Sequence, residues 1–208
     1  MSDRDQAIAF KRILRSLIGR HKVVVFKGHM ERGRPWYGGE GHPRAIMVHH
    51  TAGAATSSKN PHNPGNQTGA NAGVVQWCLH PTSQYPYCNL TIDRDGTVYV
   101  NSLLSAWHSG EGSVDGTHWE RLALPDDNAH LGTLGIEVVS KGQRRDFTRA
   151  QKASLDAVAV AARQAYGWRG FRYRIMNHKD WAPDRKTDSL YPWSYWVDRA
   201  RLEWAKHF

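Results

Sequence analysis

Short apolar runs that stop abruptly at polar residues, spaced by long polar loops, constrain this chain most. Ala45-Ile46-Met47-Val48-His49 reads as a buried strand running into polar residues, and Leu134–Val139 reads as another. Lys22–Phe26 is a short β-branched strand, and Arg172–Ile175 is the last. Asn89–Ile92 and Thr97–Asn101 flank Asp93-Arg94-Asp95-Gly96, an Asp-Gly hairpin signal. Helical runs alternate with these strands. Residues 3–18 place Phe10, Ile13, Leu14, Leu17 and Ile18 on one stripe that Gly19 can end. Thr148 and Gln151 form a capping box before an Ala/Val/Leu-rich helix reaching about Tyr166 and stopped by Gly167. A last helix runs from about Trp193 to Lys206. This order predicts an α/β fold: a central mixed β-sheet flanked by helices, with an extra N-terminal helix. We divide the chain into residues 1–44 (helix, short strand and Gly-rich linker) and a catalytic domain over 45–208.

At 208 residues, 40% of them hydrophobic, the chain can bury one ordinary core. No apolar run is long enough to span a bilayer, and Met1-Ser2-Asp3-Arg4-Asp5 does not open a secretory signal. Cys78 and Cys88 are too few for a disulfide scaffold or a four-thiolate metal site, and free thiols are expected. The net charge of +9 favours an anionic partner: nucleic acid, anionic lipid or an acidic cell wall. The basic residues are scattered in sequence, which argues against a nucleic-acid binder. Residues 51–73 and 109–132 are long polar loops of the kind a compact domain keeps for binding.

The chemistry-bearing residues gather at strand ends. His49 and His50 close the first apolar run, and at most one of them easily faces a given site. His178 follows the last strand, with Asp180, Asp184 and Asp188 competing downstream as its carboxylate partner. Two imidazoles and one carboxylate suit a catalytic zinc that leaves a position open. They equally suit a non-haem Fe(II) triad, and spacing does not separate the two. Lys186 could face an oxyanion. Glu137 lies inside an apolar strand, so it either points to solvent or occupies a site where burial would raise its pKa towards that of a general base.

Five segments occur in one order: Val48-His49-His50-Thr51-Ala52, Asn89–Gly96, Ala106-Trp107-His108-Ser109-Gly110, Leu134-Gly135-Ile136-Glu137, and His178 through Ala182-Pro183-Asp184-Arg185-Lys186-Thr187-Asp188. Together they span about residues 45–205 and resemble the zinc-dependent N-acetylmuramoyl-L-alanine amidases of the peptidoglycan-recognition-protein fold. The resemblance implies one Zn²⁺ held by His49, His178 and Asp188, with His50 turned away. It implies Glu137 as the base activating water, Lys186 steadying the oxyanion, and Trp107 and His108 lining the substrate groove. Many relatives carry Cys where Asp188 stands; Asp resembles the anhydro-muropeptide branch. Some phage relatives place a catalytic Tyr where Cys88 falls. Tyr87, beside it, should face away on a regular strand, so neither is given a role.

These implications describe a peptidoglycan hydrolase, of phage endolysin type, that cleaves the bond between N-acetylmuramic acid and L-alanine. Such a protein would be made in the host cytoplasm without a signal peptide, released through a holin-type lesion, and act as a monomer without stable membrane association. The rival readings are a cytoplasmic muropeptide-recycling amidase and a non-catalytic peptidoglycan-binding module.

Overall fold

The computed structural model describes residues 2–37, 41–52, 73–80 and 82–208. Most of the expected 51–73 loop lies outside the described residues. Among the described residues six strands form one sheet: β1 Val23–Val25, β2 Ala45–His50, β3 Leu90–Ile92, β4 Val98–Val100, β5 Thr133–Val138 and β6 Ile175–Asn177, in the order β1-β4-β3-β5-β2-β6. The β3–β4 hairpin is the antiparallel pair, and every other neighbour pair is parallel. The mixed sheet with flanking helices is therefore as expected.

Alternation along β2 divides the interior. Ile46 and Val48 enter a core with Leu90, Ile136, Val158 and Trp196, under helices α1 (Asp3–Ile18), α3 (Arg149–Ala165) and α5 (Trp193–Trp204). Ala45 and Met47 face the other way, into a cluster with Trp119, Leu122, Met176 and Trp181. That second face is closed by the loop after residue 109 and by the short helix α4 (His178–Trp181), with no long helix over it among the described residues.

Both long amphipathic helices begin with reciprocal caps: Thr148 with Gln151 as anticipated, and Ser2 with Asp5, which the sequence reading passed over. Phe10 of α1 stacks on Tyr166 at the end of α3, with ring centroids 5.6 Å apart. Through α1 and β1, which pairs with β4, residues 1–44 build onto the same core.

Several boundaries differ from expectation. Residues 20–22 form a 3₁₀ turn, so β1 is shorter than Lys22–Phe26. The last strand lies at Ile175–Asn177, because Arg174 is still held in a turn by its amide bond to the Phe171 carbonyl. The last helix ends at Trp204. Helix α2 (Gly73–Leu79) and α4 were not anticipated; each is too short for a helical period to emerge. Cys78 and Cys88 are free and buried.

Candidate functional site

The carboxyl ends of parallel strands are where open α/β sheets place their ligand sites. His49 is the fifth residue of β2, on the Ala45–Met47 face, and its register partner on β5 is Glu137. His178 immediately follows β6, which flanks β2 on the other side. Asp188 arrives on the chain leaving α4, anchored by the Lys179 amide donating to its carbonyl. The three side chains converge. His49 Nδ1 lies 2.9 Å from His178 Nδ1, and Asp188 Oδ2 lies 3.4 Å and 3.2 Å from these two nitrogens. All three residues are buried. The competing acids are elsewhere: Asp180 accepts from the Asn177 amide as the cap of α4, and Asp184 is exposed.

The hydrogen bonds behind this trio fix where its protons are. His178 Nε2 donates to the Ser109 carbonyl at 2.8 Å, which leaves His178 Nδ1 a bare lone pair. His108 Nε2 donates to the Thr133 carbonyl at 3.0 Å, so His108 Nδ1 is also bare. His49 Nε2, 3.1 Å from that nitrogen, must then carry the proton and donate it, leaving His49 Nδ1 bare. Two imidazole lone pairs and a carboxylate oxygen thus face one another with no hydrogen between them. A divalent cation satisfies that arrangement, and the three donor atoms lie within 4.8 Å of one another.

The electrostatics agree. Burial, and then the neighbouring His178, push the His49 pKa down to about 4, so the ring is neutral and free to ligate. Burial raises Glu137 well above the usual carboxylate value, Cys88 and Asp188 add to this, and Lys186 opposes it. Glu137 Oε2 is buried without a hydrogen-bond partner among the described residues.

His108 owes its place to Gly135. A β-carbon at 135 would fall 2.3 Å from the His108 ring, so only glycine lets that ring lie on β5 beside His49. His108 was expected to line the groove. It does border the cleft, but its ring is buried and both nitrogens are engaged, one with His49 and one with Thr133.

The cleft over the trio has a volume of about 380 Å³. Lys186 and Glu137 line it, as does Trp107, which is 52% exposed. Arg185 donates to the Ser109 and Glu111 carbonyls, and Trp181 donates to the Gly110 carbonyl at 3.2 Å; together they brace the loop that accepts from His178. His50 points off the trio, its ring over Gly142.

Sequence reasoning missed two groove residues. Trp77 of α2 is 54% exposed and lines the cleft, with its ring 4.9 Å from that of Tyr87. Tyr87 was expected to face away. It lies in a bend before β3 begins, so strand alternation does not apply, and it faces the cleft while Cys88 is buried. The aromatic content was the available signal, but it carried no position.

A mixed sheet carries a buried His-His-Asp trio that could hold a metal ion at the carboxyl ends of its parallel strands, under an aromatic-walled cleft. Residues 39–191 match the Amidase_2 family, described as N-acetylmuramoyl-L-alanine amidase, and the chain belongs to that family. Comparison with curated proteins gives no match. Solved structures share the fold. A selenomethionine derivative of AmpD is 23% identical, with TM-score 0.50 over 86% of this chain and 98% of that one. The endolysin amidase LysCS from Clostridium intestinale is 17% identical, with TM-score 0.53 over 86% and 94%. The Staphylococcus aureus hydrolase AmiA, solved with its ligand, is 14% identical, with TM-score 0.51 over 93% and 90%. Among the described residues no helix is long and apolar enough to cross a membrane.

Proposed function

We propose that the chain is a zinc-dependent peptidoglycan hydrolase of endolysin type, cleaving the amide between the lactyl group of N-acetylmuramic acid and L-alanine. The observation carrying this is the trio of unprotonated donors, His49 Nδ1, His178 Nδ1 and Asp188 Oδ2, with Glu137 beside it in register. His49, His178 and Asp188 hold the ion. Zinc, when bound, supplies a Lewis acid that acidifies water and polarises a carbonyl.

Glu137 takes the proton of the attacking water. A carboxylate of raised pKa serves both proton transfers, accepting on Oε2 and then returning the proton to the departing amide nitrogen. Lys186 places its ammonium on the cleft wall, where it offsets the charge developing on the carbonyl oxygen. His108 acts behind the metal ligand, holding His49 in the tautomer that ligates. Trp77, Tyr87 and Trp107 offer ring faces to the sugar and stem peptide.

Asp188 favours a second reading, a muropeptide-recycling amidase, because that branch of the family carries Asp at this position. One experiment separates the readings. Purified protein is given intact sacculi or soluble anhydro-muropeptides, and the products are identified by mass spectrometry. Release of stem peptides from sacculi, abolished by a chelator and restored by Zn²⁺, is the expected result. Cleavage of anhydro-muropeptides alone would select recycling. Full activity in metal-free protein would end the zinc mechanism, and no cleavage of either substrate would leave only a binding module.

A further inference from the structure

Basic residues that are scattered in sequence meet at the opposite end of the sheet. A cleft of about 900 Å³ is lined by Arg44, Arg121, Arg169, Arg172, Arg174 and His42. Arg44 precedes β2 and Arg174 precedes β6, so the cleft lies at the amino ends of the strands whose carboxyl ends carry His49 and His178. Arg44 and His49 are five residue steps apart along β2, roughly 16 Å at ~3.3 Å per residue. Among the described residues no Asp or Glu lines this cleft.

The five guanidiniums divide into two sets. Arg44 and Arg174 form a fixed floor. Arg44 donates to the Leu122 and Ala123 carbonyls at 3.0 and 2.8 Å, and Arg174 donates to the Arg44 carbonyl at 2.6 Å. Arg121, Arg169 and Arg172 are exposed and form no ion pair with a described carboxylate. Arg121 and Arg172 both lie against the Tyr173 ring, 3.9 and 5.3 Å from its centroid. Two guanidiniums on one ring, with a third on the same cleft wall, concentrate positive charge where an anion can reach it. Guanidinium forks match phosphate oxygens in shape and charge.

We propose that this cleft binds a linear phosphodiester polymer of the polyol-phosphate kind, lacking bases and acyl chains. The lining favours that polymer over single-stranded nucleic acid and over a bilayer, and the test below decides against duplex DNA. Trp168 and Tyr166 are buried and Tyr173 lies against two arginines, so the cleft wall itself presents no run of open ring faces for successive unstacked bases; Tyr37, over Arg44 at 5.5 Å, is a single exposed ring at its border. None of the exposed large apolar side chains lines the cleft, so it offers no wedge for a bilayer. The volume of the cleft, about 900 Å³, and its five guanidiniums suit a repeating anion over a single phosphate. The inference stands independently of the amide chemistry.

The test measures binding of the full chain to short poly(glycerol phosphate), to duplex DNA and to phosphatidylglycerol vesicles, at matched phosphate and several salt concentrations. The variant R121Q/R169Q/R172Q removes the exposed set. R4Q/K27Q/K141Q removes the same net charge from exposed positions outside the cleft. The cleft variant is expected to lose about tenfold in polymer affinity, the scale of three partly exposed ion pairs. Its plot of log affinity against log salt is expected to flatten by about 2, at about 0.7 per phosphate contact on a single-stranded polyanion. The control variant should keep the greater part of both, and all three proteins should melt alike. Equal losses in both variants, no loss in the cleft variant, or tighter binding to DNA or vesicles than to the polymer would each overturn the proposal.

Discussion

His108→Ala tests the proton assignment at the metal trio directly. In the native protein His49 Nε2–H donates to His108 Nδ1 at 3.1 Å, which keeps His49 Nδ1 free for an ion. Removing the imidazole leaves that N–H without its acceptor in a buried position, a loss of about 1–3 kcal/mol. The metal-free ring can escape by moving its proton to Nδ1, where Asp188 Oδ2 lies 3.4 Å away. An ion must then reverse this shift on binding, so the penalty appears as weakened affinity. At about 1.4 kcal/mol per tenfold, the loss is about 5- to 150-fold, in the range found when partners behind metal ligands are removed. Water entering the space left by the ring could accept the stranded N–H and would move the result towards the lower figure. The assay is zinc titration against a competing chelator at fixed pH, with the metal-free melting temperature alongside. His108→Gln supplies a carbonyl oxygen as acceptor and should recover much of the affinity. Unchanged zinc affinity in His108→Ala would refute the relay. Equal weakening in the Ala and Gln variants would reduce His108 to packing.

Glu137→Gln should keep zinc binding but lower turnover by about a hundredfold to ten-thousandfold, measured as stem-peptide release. The same variant tests the pH dependence. The folded carboxyl binds its proton more tightly than the unfolded one, so metal-free stability should fall as pH rises above about 4.3. Activity should rise as the carboxyl ionises above the ordinary range, and Gln should remove both trends. Trp77→Ala should raise KM on peptidoglycan by a few-fold to tenfold, the scale of a lost ring contact, with kcat little changed; an unchanged KM would take Trp77 off the substrate path. Phe10→Ala removes a fully buried ring from between α1 and α3. It should cost about 3–5 kcal/mol and about 10 °C in Tm, while leaving zinc affinity intact in the chelator titration.

The elements legible in the sequence are those whose signal is repeated along the chain. The stripe through Phe10, Leu14 and Leu17 and the cap at Thr148 act within one or two turns, so α1 and α3 lie where the pattern puts them. His49 and Glu137 could be singled out because a polar group in an apolar strand is anomalous wherever the strand packs. Which imidazole nitrogen is left bare was not legible, because it depends on carbonyls at Ser109 and Thr133, far away in sequence. Tyr87 was misplaced for a related reason: alternation holds only while a strand lasts, and β3 starts three residues later. The arginine cleft escaped notice because parallel pairing of β2 with β6 sets residues 44 and 174 side by side, and the turns holding 121, 169 and 172 fold over them, none of which spacing shows. A parallel sheet collects the residues before its strands at one end and those after them at the other. In this chain it separates the His49–His178–Asp188 trio, which carries one carboxylate charge, from a concentration of positive charge by the length of one strand. Had the five arginines bordered the cleft over His49, their field would have lowered the Glu137 pKa and opposed cation binding. Placed at the far end, they leave the two proposed functions compatible in one small domain.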